Sequence, residues 1–303
     1  MAQGKSPSRP AARPQKPQTA HATISARWLL AALALTVPAA ALCTWAVFCL
    51  LFWQGSWQLL YHPTSTVTRN PSNIGLAYDP VSFSTANSYA TTNSGVPQIQ
   101  GWWIPATSAR YTAIYLHDQT GNLGDTLDAL AELHATGMNV FAFDYRGFGQ
   151  SQFVHPSESS WNEDAASALE YLTGTRHIDT HSIVIVGSGL GADIALELAA
   201  AHSDSAGVVL VSPIDSPVNI VFNDARAKLL PAHLLVRDRY DLSTPAGALH
   251  IPSLWLEREH ETVETAVNSI FEKANAPKAR VVLRADETLT QPIQSWLTNL
   301  GNK

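Results

Sequence analysis

Ile183-Val184-Ile185-Val186-Gly187-Ser188-Gly189-Leu190-Gly191-Ala192 decides how the rest of the chain is read. Four β-branched residues in a row predict a strand buried on both faces. A glycine-rich turn follows. Then comes a helical stripe of Leu190, Ile194, Ala195, Leu198 and Ala199, ending near His202.

A buried strand, a sharp turn and a helix make the frame of a nucleophile elbow, whose pattern is G-x-S-x-G. Gly187 and Gly191 hold the two outer positions. Ser188 falls on the first variable position, and Gly189 stands where the nucleophile belongs. Shifting the register to fit Ser188 would flank it with Val186 and Leu190, too bulky for such a turn. Glycine accepts the strained backbone of the nucleophile position at little steric cost. The turn therefore survives without its hydroxyl.

Outward from this stretch, strands and helices alternate. Val81–Ser84 and Ile99–Ile104 read as a strand pair joined by the polar stretch Thr85–Pro97. Further strands are expected at Thr112–His117, Asn139–Phe143, Gly207–Val211, Ser253–Glu257 and Ala279–Arg284. Helices are expected at Asp125–Thr136, Glu158–Thr173, near Glu261–Ala274 and near Gln291–Leu300, with helical pieces between Pro213 and Leu249. The alternation predicts an α/β fold with a mostly parallel, doubly wound sheet. Ligand sites in such sheets gather at the carboxyl ends of the strands.

The N-terminal region has another character. Residues 1–27 combine Pro7, Pro10, Pro14 and Pro17 with five basic residues and no acid, which predicts a disordered basic tail. Residues 28–53 carry no charge over 26 positions, about 39 Å of helix against a hydrocarbon core of roughly 30 Å. Trp28, Trp53 and Trp57 stand at its ends as aromatic anchors. We expect one transmembrane helix over 28–53, a connector over 54–77 and the folded domain over 78–303. Ala39-Ala40-Ala41 resembles a signal cleavage site, but the apolar run continues through Trp53 and favours an uncleaved anchor. The basic excess before the helix places the N-terminus in the cytoplasm and the large domain outside it, in the periplasm if the cell is bacterial.

Charge excludes one class of partner. Of 19 basic residues five lie in the tail, so the remaining 14 face 25 acids, a net of -11 after residue 27. Nucleic-acid binding is not expected of such a domain. The two cysteines, Cys43 and Cys49, both fall in the apolar segment, which leaves the domain without a disulfide or cysteine metal site.

Several blocks in order resemble the α/β-hydrolase family, nearest to its small-lid, membrane-anchored serine-hydrolase branch. They are Gly101-Trp102-Trp103-Ile104-Pro105-Ala106, Tyr115-Leu116-His117-Asp118-Gln119-Thr120-Gly121-Asn122, Asp144-Tyr145-Arg146-Gly147-Phe148-Gly149-Gln150-Ser151, the elbow, and Ser212-Pro213. The resemblance covers roughly residues 78–300 and implies an α/β-hydrolase fold. It places the nucleophile at Gly189 and the triad acid at Glu261. The oxyanion hole falls on the backbone N–H groups of Leu190 and of the loop at Asp118-Gln119. Where Asp118 stands the family usually has glycine. A carboxylate about 4 Å from a developing oxyanion repels it by about 4 kcal/mol at an effective dielectric near 20. The base should be a histidine after the last strand, yet no histidine follows His260. The corresponding segment, Arg284–Leu289, offers only carboxylates and a hydroxyl. Serine chemistry needs both an attacking oxygen and a positioned base.

The resulting expectation is a membrane-anchored, catalytically degenerate member that binds a small molecule or a protein partner through the old cleft. The alternative is an active esterase, thioesterase or peptidase with a non-standard nucleophile, for which Ser188 is the candidate. A third possibility is a structural role in a membrane complex. Asp144, Arg146 and His117 are expected to brace loops, and Asp215 is a spare acid with no base to support. Glu257, Glu259, His260 and Glu261, with His117 and Asp118, lack metal-ligand spacing; no cofactor or metal is expected.

Overall fold

The structure is a computed structural model that describes residues 25–85, 98–214, 217–259, 264–275 and 277–301. The chain divides into two compact units, Met1–Phe48 and Cys49–Lys303. In the first, the described residues from Ala26 onward are helical and, after Arg27, uncharged. They belong to α1, Ala26–Gly55, which has Pro38 inside it. The stretch Ala26–Leu59 is long and apolar enough to cross a membrane, with a mean hydropathy of 2.1.

The second unit is built on eight strands: β1 (Asp79–Ser84), β2 (Gln98–Ile104), β3 (Thr112–Leu116), β4 (Asn139–Asp144), β5 (Ile183–Ser188), β6 (Gly207–Val211), β7 (Ser253–Arg258) and β8 (Lys278–Leu283). They pair in the order β8-β7-β6-β5-β3-β4-β2-β1. The antiparallel pairings are β1 with β2 and β2 with β4; the rest are parallel. The expected doubly wound sheet is present, with β5 at its centre.

Alternation along each strand divides the core into two layers. Ile114, Phe141, Phe143, Ile183, Ile185 and Leu210 face one layer, covered by α3 (Glu158–Glu170) and α4 (Leu190–Ala201). Ala113, Tyr115, Val140, Val184, Val186 and Val209 face the other. There α2 (Leu127–Ala135) contributes Leu127, Leu130 and Leu133, and the C-terminal helix Thr290–Gly301 contributes Ile293, Trp296 and Leu297.

Two local differences from the sequence reading have clear physical reasons. The helix expected over Glu158–Thr173 ends its regular turns at Glu170, and a wider turn carries Tyr171–Thr175. That turn seats the Tyr171 ring 5.3 Å from Phe83 and 5.4 Å from Phe141. The stretch expected as a connector packs into the fold. Leu60 and Tyr61 are buried, and His62–Pro63 pairs in parallel with Thr120–Gly121. The Asn122 side chain donates to Thr64 Oγ1 at 2.6 Å and to the Thr66 carbonyl at 3.1 Å, tying the segment to the loop after β3. The expected β1–β2 turn, Thr85–Pro97, falls mostly outside the described residues.

Strand β5 and helix α4 approach too closely for side chains. A Cβ on Gly187 would lie 2.2 Å from the Gly191 carbonyl oxygen and 2.6 Å from Ala192 Cα; one on Gly191 would lie 2.3 Å from the Leu116 carbonyl oxygen. Gly187→Ala is expected to destabilise the fold by about 1–3 kcal/mol, the usual cost of overpacking. Gly174→Ala, with nothing within 4 Å of the added carbon, should stay within about 0.5 kcal/mol of the parent. Urea unfolding of the two variants measures the contrast.

Candidate functional site

The turn between β5 and α4 places Gly189 at φ +55° and ψ -123°. A residue with a side chain is strained in such a conformation by about 1–3 kcal/mol; glycine is not. The elbow geometry is therefore intact at the position the sequence assigned to the nucleophile, and the residue there carries no attacking atom.

The space beside it is filled. A Cβ on Gly189 would fall 2.2 Å from Asp118 Oδ1 and 2.5 Å from Asp118 Cγ. The same Oδ1 accepts the N–H of Gln119 at 2.7 Å and that of Leu190 at 3.1 Å. Those are the two donors expected to form the oxyanion hole. Leu190 also opens α4, so the carboxylate sits at a helix N-terminus, where the backbone field favours a negative charge. Asp118 was expected to repel an oxyanion from a distance. Instead its Oδ1 takes both N–H groups directly, through charge-assisted hydrogen bonds of the kind worth about 1.5–3 kcal/mol each. A glycine at 118 would leave the hole open; a missing side chain at 189 leaves room for this one.

Ser188 leaves the strand on the other face. It follows Val184 and Val186 by the two-residue alternation, toward the layer holding Tyr115. Its hydroxyl shares a side-chain hydrogen bond with the Tyr115 phenol. The imidazole of His117, fully buried, lies in the opposite layer against Tyr145, Phe148 and Trp161 at ring distances of 4.7, 5.3 and 6.1 Å. The displaced serine and the nearby histidine are thus kept apart by the sheet.

The remaining sequence-derived positions separate in the same way. Glu261, with His260, lies outside the described residues, as does Asp215. In the segment expected to carry the base, Arg284 pairs with Glu287 at 2.8 Å, and the Leu289 N–H donates to Glu132 at 2.6 Å. Arg258 reaches the Glu287 carbonyl at 3.5 Å. Glu257 is paired with Arg280. Among the described residues no group of three or more His, Cys, Asp or Glu could hold a metal ion.

The bracing roles hold. Arg146 Nε contacts Asp164 Oδ1 at 2.5 Å, its backbone N–H donates to Oδ2 at 2.8 Å, and its Nη2 reaches both Glu163 and the Ser160 carbonyl. Tyr145 stacks flat on Trp161, centroids 3.9 Å apart. Asp144 accepts the Leu123 N–H at 2.8 Å, and a Cβ on Gly149 would collide with its carboxylate. Sequence reading missed the hydrogen-bonded Tyr61–Asp238 contact at 2.9 Å and Glu158, which accepts the N–H groups of Arg239 and Tyr240 at 2.7 and 3.1 Å. Their partners lie some 80 to 180 positions away, so no local pattern announces them. Asp193 also escaped notice. It stands four residues, about one helical turn, after Gly189 and is fully buried, and burial pushes its carboxyl well above the ordinary range.

The sequence matches the family described as serine aminopeptidase, S33, over residues 108–282, more than half of the chain. It is similar to the uncharacterized protein Rv2307c of Mycobacterium tuberculosis, 28% identical over 239 residues, which span 77% of this chain and 80% of the relative. It is also similar to protein bem46 of Schizosaccharomyces pombe, 34% identical over 104 residues, 34% of each chain. Among solved structures, the Pyrococcus furiosus esterase Pf2001 superposes with a TM-score of 0.61 at 16% identity, covering 80% of this chain and 97% of the esterase. At that identity the likeness is one of fold.

His117 and Asp144 form a buried pair with a testable signature. His117 Nδ1 lies 2.7 Å from the Asp118 carbonyl, and its Nε2 lies 3.6 Å from Asp144 Oδ1, too long for a hydrogen bond. Burial lowers the imidazole to about 4 from 6.5 and raises the Asp144 carboxyl to about 7 from 3.8. Between about pH 4 and 6.5 the folded pair holds one proton, on Asp144, and the unfolded chain also holds one, on His117. The pair then adds no slope to stability against pH. His117→Asn leaves Asp144, whose folded form binds the extra proton, so stability should fall as pH rises through this window. Asp144→Asn leaves His117, whose unfolded form binds the extra proton, so stability should rise with pH. Each slope approaches about 1.4 kcal/mol per pH unit. Urea unfolding across pH 4–6.5 measures both; slope changes of the same sign would contradict the pairing.

Proposed function

Given that the chain belongs to the serine aminopeptidase S33 family of α/β-hydrolases, we propose that it is a member that binds rather than hydrolyses. In this reading it is held to a membrane by its N-terminal helix. The N-terminus is cytoplasmic and the large domain extracytoplasmic, periplasmic in a bacterium. The ligand is a small molecule or a protein segment received by the remnant of the catalytic cleft.

One observation carries the reading. Asp118 Oδ1 accepts both the Gln119 and Leu190 N–H groups beside a glycine at the nucleophile position. Acyl transfer needs an attacking oxygen, a base and an anion hole. The sequence has glycine for the first and no histidine after His260 for the second. Even without nucleophile and base, an intact hole and binding site retain roughly 10³–10⁴-fold acceleration over water. A resident carboxylate opposes that remainder as well, by exclusion and by charge. The anchor is supported by the apolar stretch Ala26–Leu59, and the orientation by the five basic residues up to Arg27 with no charge from Trp28 to Val67.

The full chain, purified in detergent, should show no turnover above buffer with short-chain esters, thioesters or aminoacyl amides. It should take no label from a fluorophosphonate probe. Turnover together with a label mapping to a single residue would overturn the proposal, and loss of that turnover in Ser188→Ala would establish the displaced-nucleophile alternative in its place.

A further inference from the structure

The surface over residues 225–239 differs in composition from the rest of an acidic domain. Lys228, Arg237 and Arg239 are exposed there, together with Leu229 at 80% and Leu234 at 84% exposure. No acidic side chain is exposed in this span. Its one acid, Asp238, is half-buried and accepts the Tyr61 hydroxyl at 2.9 Å and the Glu158 N–H at 3.2 Å. The segment is held in place from beneath: Ala227, Ala232 and Val236 are buried in the core. The two leucines therefore face outward on a pinned scaffold.

This face adjoins the C-terminal end of the apolar stretch. The Arg237 guanidinium lies 4.1 Å from the centroid of Trp53. A cleft of about 310 Å³ runs between Trp53 and Trp57 on one side and Val236 and Arg237 on the other. Trp57 stacks on His155 at 4.8 Å, and His155 meets the ring of Phe153, itself 73% exposed, at 5.7 Å. The stretch Ala26–Leu59 has 34 residues, about 51 Å as helix, against a hydrocarbon core of roughly 30 Å. Its last turns, with Trp53 and Trp57, then emerge at headgroup depth, where tryptophan is favoured.

We propose that this face is a second membrane contact. It seats on a bilayer containing anionic phospholipid, with Leu229 and Leu234 at the boundary of headgroups and acyl chains and with Lys228, Arg237 and Arg239 on lipid phosphates. The chemistry is that of an interfacial segment, apolar side chains for depth and cations for the surface charge. Charge complementarity selects the occupant. A domain carrying a net charge of -11 outside its tail is repelled by an anionic surface except where its cations are gathered. Contact of Arg237 with Trp53 at the end of the apolar stretch puts this basic segment beside that surface. The inference rests on the membrane-anchor reading above.

The test uses the full chain with Cys43→Ala and Cys49→Ala, carrying single cysteines from Leu229→Cys, Leu234→Cys or, as a control, Val282→Cys, which replaces an exposed residue of strand β8. Each is labelled with an environment-sensitive fluorophore and reconstituted into phosphatidylcholine vesicles with or without phosphatidylglycerol, with nitroxide lipids as quenchers. The expected result is blue-shifted, lipid-quenched emission at 229 and 234 but not at 282. Quenching should be stronger with phosphatidylglycerol, and Lys228→Glu with Arg237→Glu should remove that enhancement. Aqueous emission at 229 and 234 in protein that resists alkaline extraction would overturn the second contact while leaving the anchor standing. So would burial of the labels only when a second copy or another protein is added. Release of the protein by alkali would overturn both.

Discussion

A carboxylate hydrogen-bonded across the start of helix α4 is the interaction on which the site depends. Asp118 bridges the loop after β3 to the first N–H of the helix after β5 through one oxygen. The two N–H groups that the family resemblance assigns to an oxyanion hole here hold a side-chain carboxyl oxygen. The N-terminus of α4 attracts an anion whichever group supplies it. With no side chain at Gly189 to compete for the space, Asp118 supplies it from within the chain. A side chain at 189 and the Asp118 carboxylate exclude one another, because the two need the same space.

The surrounding scaffold is held by contacts that lie away from the Asp118 side chain and from Gly189. Gly187 and Gly191 let strand and helix touch, and neither contact involves the catalytic groups. Arg146 with Asp164, the ring cluster around His117, and Asp144 on the Leu123 N–H hold the loops at the carboxyl ends of the strands. The segment after the apolar helix adds a further brace, since His62 N–H donates to the Gln119 carbonyl at 2.9 Å and Gly149 N–H to the Thr64 carbonyl at 2.9 Å. The loop that carries Asp118 is thus fixed from two sides. Its carboxylate is positioned by structure that would exist with or without catalysis.

Much of this was legible in residue order. The β-branched run 183–186 and the glycines after it identify the central strand and the elbow because both features are local and periodic. Gly189 and the missing histidine after His260 were equally plain, since absence of a residue type needs no coordinates. The role of Asp118 was half-visible. Its charge predicted conflict with an oxyanion, but that it could turn into the hole depends on room left by a residue 71 positions later. Tyr61, Glu158 and Asp238 were invisible for the same reason: their partners come from segments that only the folded topology brings together. The stretch 54–77 resembled a linker because its prolines and polar residues mask the few apolar anchors, Leu60 and Tyr61, that bury it.

The most direct measurement is a double-mutant cycle on stability between positions 118 and 189. Gly189→Ser alone should be strongly destabilising, because its Cβ must displace the carboxylate as well as bear the strained backbone. With Asp118→Gly in place only the backbone strain remains. A favourable coupling of about 1–3 kcal/mol between the two substitutions, in the range found for residues in contact, is the predicted result. Additive effects within about 0.5 kcal/mol would contradict the claim that the Asp118 carboxylate and a side chain at 189 need the same space.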